Sequence, residues 1–125
     1  LTAADGTVVA DNFYCLPAKD NEYVWDRTNW YITPVSRYAD LRFAFGQEPA
    51  DVQMSVEERG DGQWAVTLTN KSSVIAYMNI LQALDAAGEL VAPAFWSDNF
   101  FPLLPGQTKT VSCRADVRDI HFKLD

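Results

Sequence analysis

The sequence predicts an all-β sandwich, and three features of its 125 residues predict it. Apolar and polar residues alternate over 52–57, 64–69 and 110–117, with the period of two that is typical of half-buried strands. Turn-forming residues separate these runs, at 59–62 and again at 70–73. The length suits one core that buries roughly two-thirds of the unfolded surface. Short strands divided by turns favour two packed antiparallel sheets of immunoglobulin type.

The individual strands follow in chain order. Residues 52–57 and 64–69 form a hairpin around the turn at 59–62. Residues 74–84 are apolar enough for one strand, although their alternation is imperfect and a short helix is the alternative. Further strands are predicted at 111–117 and 120–124.

The segment 17–45 differs from the rest of the chain. Aromatic residues lie there among Asp, Asn, Arg and Pro, and neither a helical nor a strand period is sustained. We predict an irregular segment with one helical turn near 38–41. Structureless segments of this length are usually functional or docked.

Composition excludes several classes of function. The net charge of −7 argues against binding to nucleic acid or to an anionic membrane surface. No apolar run approaches the roughly 20 residues that span a bilayer. Cys15 and Cys113 fit no metal or redox spacing, and free thiols are favoured over a disulfide between them.

The sequence offers no catalytic carboxylate pair. Glycoside hydrolysis, for example, needs two carboxyls facing one bond, whereas the adjacent Glu57 and Glu58 would point to opposite faces of a strand. The single histidine, His121, lies on the polar face of the last predicted strand. Asp98 and Asn99 supply too few oxygens for calcium, which takes about six to eight. We therefore expect no catalytic residue, metal or cofactor. Asn70 begins a formal N-glycosylation sequon, Asn-Lys-Ser.

Six segments stand in an informative order: NFYCL at 12–16, VWD at 24–26, WYITPV at 30–35, YADL at 38–41, VTLTN at 66–70 and FWSDNFFPLLPG at 95–106. Together they resemble the C-terminal domain of glycoside hydrolase family 2 enzymes, in the exo-β-D-glucosaminidase and β-mannosidase branch. The resemblance covers nearly the whole chain. Cys15 is a departure, because an aromatic residue is expected there.

The resemblance implies a non-catalytic, immunoglobulin-like domain at the end of a secreted or periplasmic retaining glycosidase. Both catalytic glutamates would lie on a (β/α)8 barrel elsewhere in the parent chain. The barrel and a preceding immunoglobulin-like domain would be the partners of this domain. Residues 1–16 would be the tail of that preceding domain or a strand shared with it, 17–45 the irregular aromatic segment, and 46–125 the sandwich.

Two further observations suggest a longer protein. The sequence begins with Leu1 rather than Met, so we expect its start to lie inside a larger chain. The tripeptide Asp-Asn-Phe occurs at 11–13 and again at 98–100, as expected if two successive sandwich domains share a motif.

Two aromatic clusters are the candidate contact sites. They comprise Trp25, Trp30 and Tyr31 in the irregular segment, and Trp96, Asp98 and Asn99 in the second half. Aromatic rings stack on sugars, but they also fill cores and interfaces. Three roles are therefore open: core packing, docking to the parent enzyme, and contact with an oligosaccharide. An independent carbohydrate-binding module and a protein-interaction domain are the alternative functions.

Overall fold

The computed structural model describes residues 1–117 and 119–125, which form two compact units, Leu1–Gln47 and Glu48–Asp125. Among these residues no helix is long and apolar enough to cross a membrane.

The first unit contains only short elements. Strands β1 (Glu22–Tyr23) and β2 (Val35–Arg37) pair antiparallel. Two 3-10 turns accompany them, Trp25–Arg27 and Arg42–Phe45. Residues 1–16 contain one isolated bridge, between Thr2 and Val8.

The second unit is built entirely from strands, in agreement with the predicted fold class. They are β3 (Val52–Gly60), β4 (Gln63–Asn70), β5 (Ala76–Asn79), β6 (Leu81–Leu84), β7 (Ala94–Trp96), β8 (Phe101–Leu103), β9 (Thr108–Ala115) and β10 (His121–Leu124). A four-stranded antiparallel sheet has the order β3-β4-β9-β7. The pairs β5-β8 and β6-β10 supply the strands that face it across the core.

The core lies between these layers because alternate residues of each strand point inward. In β4, Trp64, Val66 and Leu68 are buried, as the sequence predicts. They share the core with buried residues of the other strands: Ala76, Leu81, Phe101, Leu103 and Val111. Cys113 is also buried, and both Cys15 and Cys113 are free thiols.

The prediction of one strand or a helix over 74–84 is wrong. Two strands, β5 and β6, occupy this stretch, and the pairing of β5 with β8 is irregular between Ala76 and Asn79. Buried Asn79 explains the interruption: its Nδ2 donates to the carbonyls of Ala76, at 3.1 Å, and Phe101, at 2.9 Å. Met78 adopts a left-handed backbone, with φ of 49°, and its side chain is exposed.

The helical turn predicted near 38–41 lies instead at Arg42–Phe45. Asp40 accounts for the shift, because its Oδ1 accepts from the backbone N–H of Arg42 at 3.0 Å. This local side-chain hydrogen bond precedes the 3-10 turn, whose N-cap residue is Leu41.

Candidate contact surface of the aromatic segments

The first cluster lies at the tip of the hairpin in unit 1. Asn29 and Ile32 exchange backbone hydrogen bonds of 3.0 and 2.7 Å, which leaves Trp30 and Tyr31 as a two-residue loop. The hydroxyls of Thr28 and Thr33 lie 3.0 Å apart across the same ladder.

Trp30 and Tyr31 are poorly suited to this loop by local preference. Two-residue hairpin loops favour Gly, Asn or Asp, because one or both central residues take positive φ. Trp30 has φ of 30° and an indole that is 93% exposed, and Tyr31 is 73% exposed. Their rings contact only edge to face, at 4.8 Å and 68°. The loop therefore combines backbone strain with exposed aromatic surface.

Trp25 occupies the 3-10 turn before the loop and is also exposed. Its ring lies 5.2 Å from that of Tyr23, at an interplanar angle of 40°. Tyr23 was not among the residues that the sequence predicted, because its single aromatic ring carries no motif of its own. Asp26 and Arg27 alongside Trp25 offer both charges at this surface.

Polar contacts hold the hairpin below these rings. The Arg37 guanidinium lies 2.6 Å from the Glu22 carboxylate, and the N–H of Val24 donates to the carbonyl of Pro34 at 2.9 Å. Asn21 accepts from the N–H of Ala39 at 2.7 Å.

No residue of unit 1, all of which is described, is buried. Most of the large apolar side chains that are exposed in the described structure lie in this unit.

The second cluster is in unit 2, and its polar members are engaged within the domain. Asn99 Nδ2 donates to the carbonyl of Leu81 at 2.9 Å, while its Oδ1 accepts from the N–H of Leu81 at 2.8 Å. The Asp98 carboxylate accepts from Lys109 Nζ at 2.5 Å and from the N–H of Asn99 at 2.8 Å. Lys109 Nζ also lies 4.6 Å above the ring of Phe101. The hydrogen bond from Lys109 lowers the pKa of Asp98.

Trp96 packs on the core rather than projecting from it. It ends strand β7, is half-buried, and meets the ring of Phe122 edge to face at 5.6 Å. Trp64 meets Phe122 from another direction, at 5.9 Å. The 95–106 segment thus contains the end of β7 and the whole of β8.

Several acidic side chains of the described residues form ion pairs at the surface. Ion pairs hold Glu22, Asp40, Glu57 and Asp98 to nearby basic side chains. Hydrogen bonds lower the pKa of Asp40 and Asp98, whereas a general acid needs a raised pKa. Within 1–117 and 119–125, no three His, Cys, Asp or Glu residues converge as metal ligands.

Glu57 and Glu58 face opposite sides of β3. Glu58 stands opposite buried Trp64 in the ladder, and Glu57 opposite Ala65. Glu58 also lines a cleft of about 990 Å³ together with Asp61, His121 and neighbouring residues at one end of the sandwich. Asp61 and His121 are exposed, as the sequence predicts for His121.

Comparison with known proteins identifies the domain. Residues 30–123 match the family described as the Ig-fold domain of exo-β-D-glucosaminidase. The chain is 39% identical over 101 residues to the exo-β-D-glucosaminidase of Arthroderma benhamiae, covering 80% of this chain and 12% of that protein. It is 31% identical over 126 residues to the enzyme of Amycolatopsis orientalis, covering 96% and 12%.

Solved structures give the same result. The crystal structure of the Amycolatopsis orientalis exo-chitosanase CsxA superposes with a TM-score of 0.75 at 28% identity, over 99% of this chain and 16% of that one. The same enzyme, in a study of inhibition by a glucosamine-configured castanospermine and an amino-australine analogue, gives a TM-score of 0.72. The chain thus spans about an eighth of the curated relatives' length. It belongs to the family of immunoglobulin-fold domains of exo-β-D-glucosaminidases.

Proposed function

We propose that this chain is an accessory domain of an exo-β-D-glucosaminidase of glycoside hydrolase family 2, which removes terminal β-linked glucosamine residues. The observation that carries the proposal is the match of residues 30–123 to the family of Ig-fold domains named for that enzyme. Relatives seven to eight times longer support a parent chain that holds the catalytic machinery elsewhere. Its packing partners are then the catalytic barrel and the preceding immunoglobulin-like domain, and the parent works outside the cytoplasm.

The sandwich suits a supporting role in such an enzyme. Some of its charged side chains form ion pairs at the surface, and the polar groups of the Asp98–Asn99 turn make hydrogen bonds within the domain. A rigid module that stabilises the parent needs these features, whereas a retaining active site needs two free carboxyls about 5–5.5 Å apart.

The experiment compares the 125-residue chain with the product of the whole gene that encodes it. We expect the gene product to release p-nitrophenol from p-nitrophenyl β-D-glucosaminide with retention of configuration, and the chain alone to release none. Turnover by the chain alone would overturn the accessory role. Faster hydrolysis of the β-mannoside than of the β-glucosaminide would assign the parent to the β-mannosidase branch instead.

A carbohydrate-binding module is the second candidate, and the exposure of Trp30 and Tyr31 favours it. Titration of the 125-residue chain with chitosan oligosaccharides separates the two functions. Tryptophan fluorescence that changes with sugar, and no longer does so in Trp30→Ala, would support the module.

A further inference from the structure

Unit 1 is folded without a core of its own. A hairpin of two short strands is marginally stable in water, and ordering each residue costs roughly 1–2 kcal/mol of backbone entropy. Burial of apolar surface normally offsets this cost. Yet none of residues 1–47, which are all described, is buried, so the usual compensation is missing.

The surface of unit 1 also exposes more aromatic side chains than is usual for a surface in contact with water. Trp25, Trp30 and Tyr31 are 71%, 93% and 73% exposed, and Tyr38 and Phe45 are 77% and 88% exposed. Isolated apolar side chains are common on protein surfaces, but residues 17–47 of this unit expose aromatic rings in two places, in addition to the apolar side chains exposed in 1–16. One is the hairpin tip with its 3-10 turn, and the other is a cleft of about 700 Å³ that Tyr38 and Phe45 line.

The strained backbone of the loop indicates that the exposed aromatic residues at the tip have a role in contact. Gly or Asn at position 30 would relieve the positive φ, and either would remove the exposed indole. Local preferences are commonly violated at sites of function or contact, where another interaction compensates for the strain. Aromatic residues that have a polar edge are also the usual anchors of protein interfaces.

We infer that unit 1 is the docking element of the domain, and that it becomes stably ordered by seating Trp25, Trp30 and Tyr31 on an apolar surface of the parent enzyme. This inference rests on the proposed function, since the parent supplies the surface. The length of chain outside this structure supports that occupant. The superposition with CsxA covers 99% of this chain but only 16% of the CsxA chain. The receiving surface should be an apolar pocket rimmed by acceptors for the indole N–H and the phenol O–H.

The mixed charge around the tip favours a protein surface over a chitosan chain. Asp26 and Arg27 stand side by side in the turn that carries Trp25. The cleft beside Tyr38 is lined by charges of both signs, because Arg37 pairs with Glu22 and Arg42 pairs with Asp40 there, while Lys19 adds a further basic group. A polycationic sugar chain would be bound best by a face of unpaired carboxylates, whereas this mixture of charges matches the polar rim of a protein interface.

Hydrogen exchange, measured by mass spectrometry on the whole gene product and on the 125-residue chain, tests the inference. We expect the amides of 22–39 to exchange at least about ten-fold more slowly in the gene product, while the amides of β4 and β9 are protected in both proteins. Trp30→Ser in the gene product should restore fast exchange in 22–39. The matched control is Phe95→Ser, which changes an aromatic residue of the sandwich that is 58% exposed.

Several results would overturn the inference. Equal exchange of 22–39 in both proteins would do so, as would protection that appears only after chitosan oligosaccharide is added. Protection in the 125-residue chain that rises with its concentration would identify a second copy as the occupant. A gene product that hydrolyses glucosaminide but leaves 22–39 unprotected would refute docking and leave the proposed function standing. A gene product with 22–39 protected but no glucosaminidase activity would refute the proposed function alone.

Discussion

The side chain of Asn99 pairs with the backbone of Leu81 through both of its amide atoms, in the way that a neighbouring strand would. The adjacent residue, Ile80, pairs with Asp125 through two backbone hydrogen bonds of 2.9 and 3.0 Å. Asn99 therefore satisfies the N–H and the carbonyl of Leu81 at the start of β6, and it fixes the 97–100 turn against the sandwich.

Asn99→Ala should lower the free energy of unfolding by about 2–3 kcal/mol, because it leaves the N–H and carbonyl of Leu81 without these hydrogen bonds. Urea denaturation of the 125-residue chain measures the loss.

The repeated Asp-Asn-Phe motif supplies the control for this change. Asn12 accepts from the N–H of Phe13 at 2.8 Å, just as Asn99 accepts from the N–H of Phe100 at 3.0 Å. Within the described part of the chain, however, the other hydrogen bond of the Asn12 amide goes to the exposed Tyr14 hydroxyl. Asn12→Ala should therefore change stability by no more than about 0.5 kcal/mol. Equal losses in the two variants would show that the contact with Leu81 contributes little.

Gly62→Ala should be more destabilising than Gly60→Ala. Both glycines have positive φ, of 68° and 81°, so alanine at either position meets a backbone penalty of about 1–2 kcal/mol. At Gly62 the added Cβ would also approach the carbonyl oxygen of Ala115 and strain the 3.0 Å bond from Ala115 N–H to Gly62 O, whereas at Gly60 it meets nothing within 4 Å. We expect the difference to be at least about 1 kcal/mol, as measured by thermal or urea unfolding. Identical midpoints would contradict this geometry.

The sequon at Asn70 should stay unmodified in folded protein. Asn70 is fully buried, and its Nδ2 donates to the carbonyls of Val74 at 2.8 Å and Leu103 at 3.0 Å. Its Oδ1 accepts from the backbone N–H of Ser72. A glycan on Nδ2 would need the amide to leave these partners. Mass spectrometry of protein secreted from a eukaryotic host should find the unmodified Asn70 peptide, and a glycan on natively folded protein would contradict the contacts.

The Asp98–Lys109 pair should make the stability of the domain depend on pH in the acidic range. The folded pKa of Asp98 lies below its ordinary value of 3.8, chiefly because Lys109 donates a hydrogen bond to the carboxylate. A carboxyl with a lowered folded pKa adds stability that is complete above the unfolded pKa and is lost as pH falls through the folded pKa.

Lys109→Met should thus destabilise the domain at neutral pH. The difference in free energy of unfolding between this variant and wild type should shrink as the pH falls below about 4. Unfolding midpoints measured across this range provide the test. Lys71→Met is the control, since Lys71 forms no ion pair in the described structure. If the difference in unfolding midpoint between wild type and Lys109→Met stays constant with pH, the Asp98–Lys109 pair is not the cause of that difference.

The sequence predicted the sandwich well because Trp64, Val66 and Leu68 alternate with polar residues, and a period of two is a local signal. It could not predict the roles of Asn79 and Asn99, because their partners Phe101 and Leu81 are distant in sequence and the motif around Asn99 recurs at Asn12 with other contacts. The strained loop at Trp30 could not be predicted from the sequence either. Its residues argue against a tight turn, and only the hydrogen bonds between Asn29 and Ile32 define it.

Hydroxyl-radical footprinting of Trp25, Trp30 and Tyr31 tests most directly whether unit 1 docks on a parent enzyme. The three side chains are highly exposed in this chain, so they should be oxidised rapidly when the 125-residue chain is probed alone. In the whole gene product we expect their oxidation to fall several-fold, while exposed Phe95 serves as the internal comparison. Oxidation of all three at the same rate in both proteins would contradict the account.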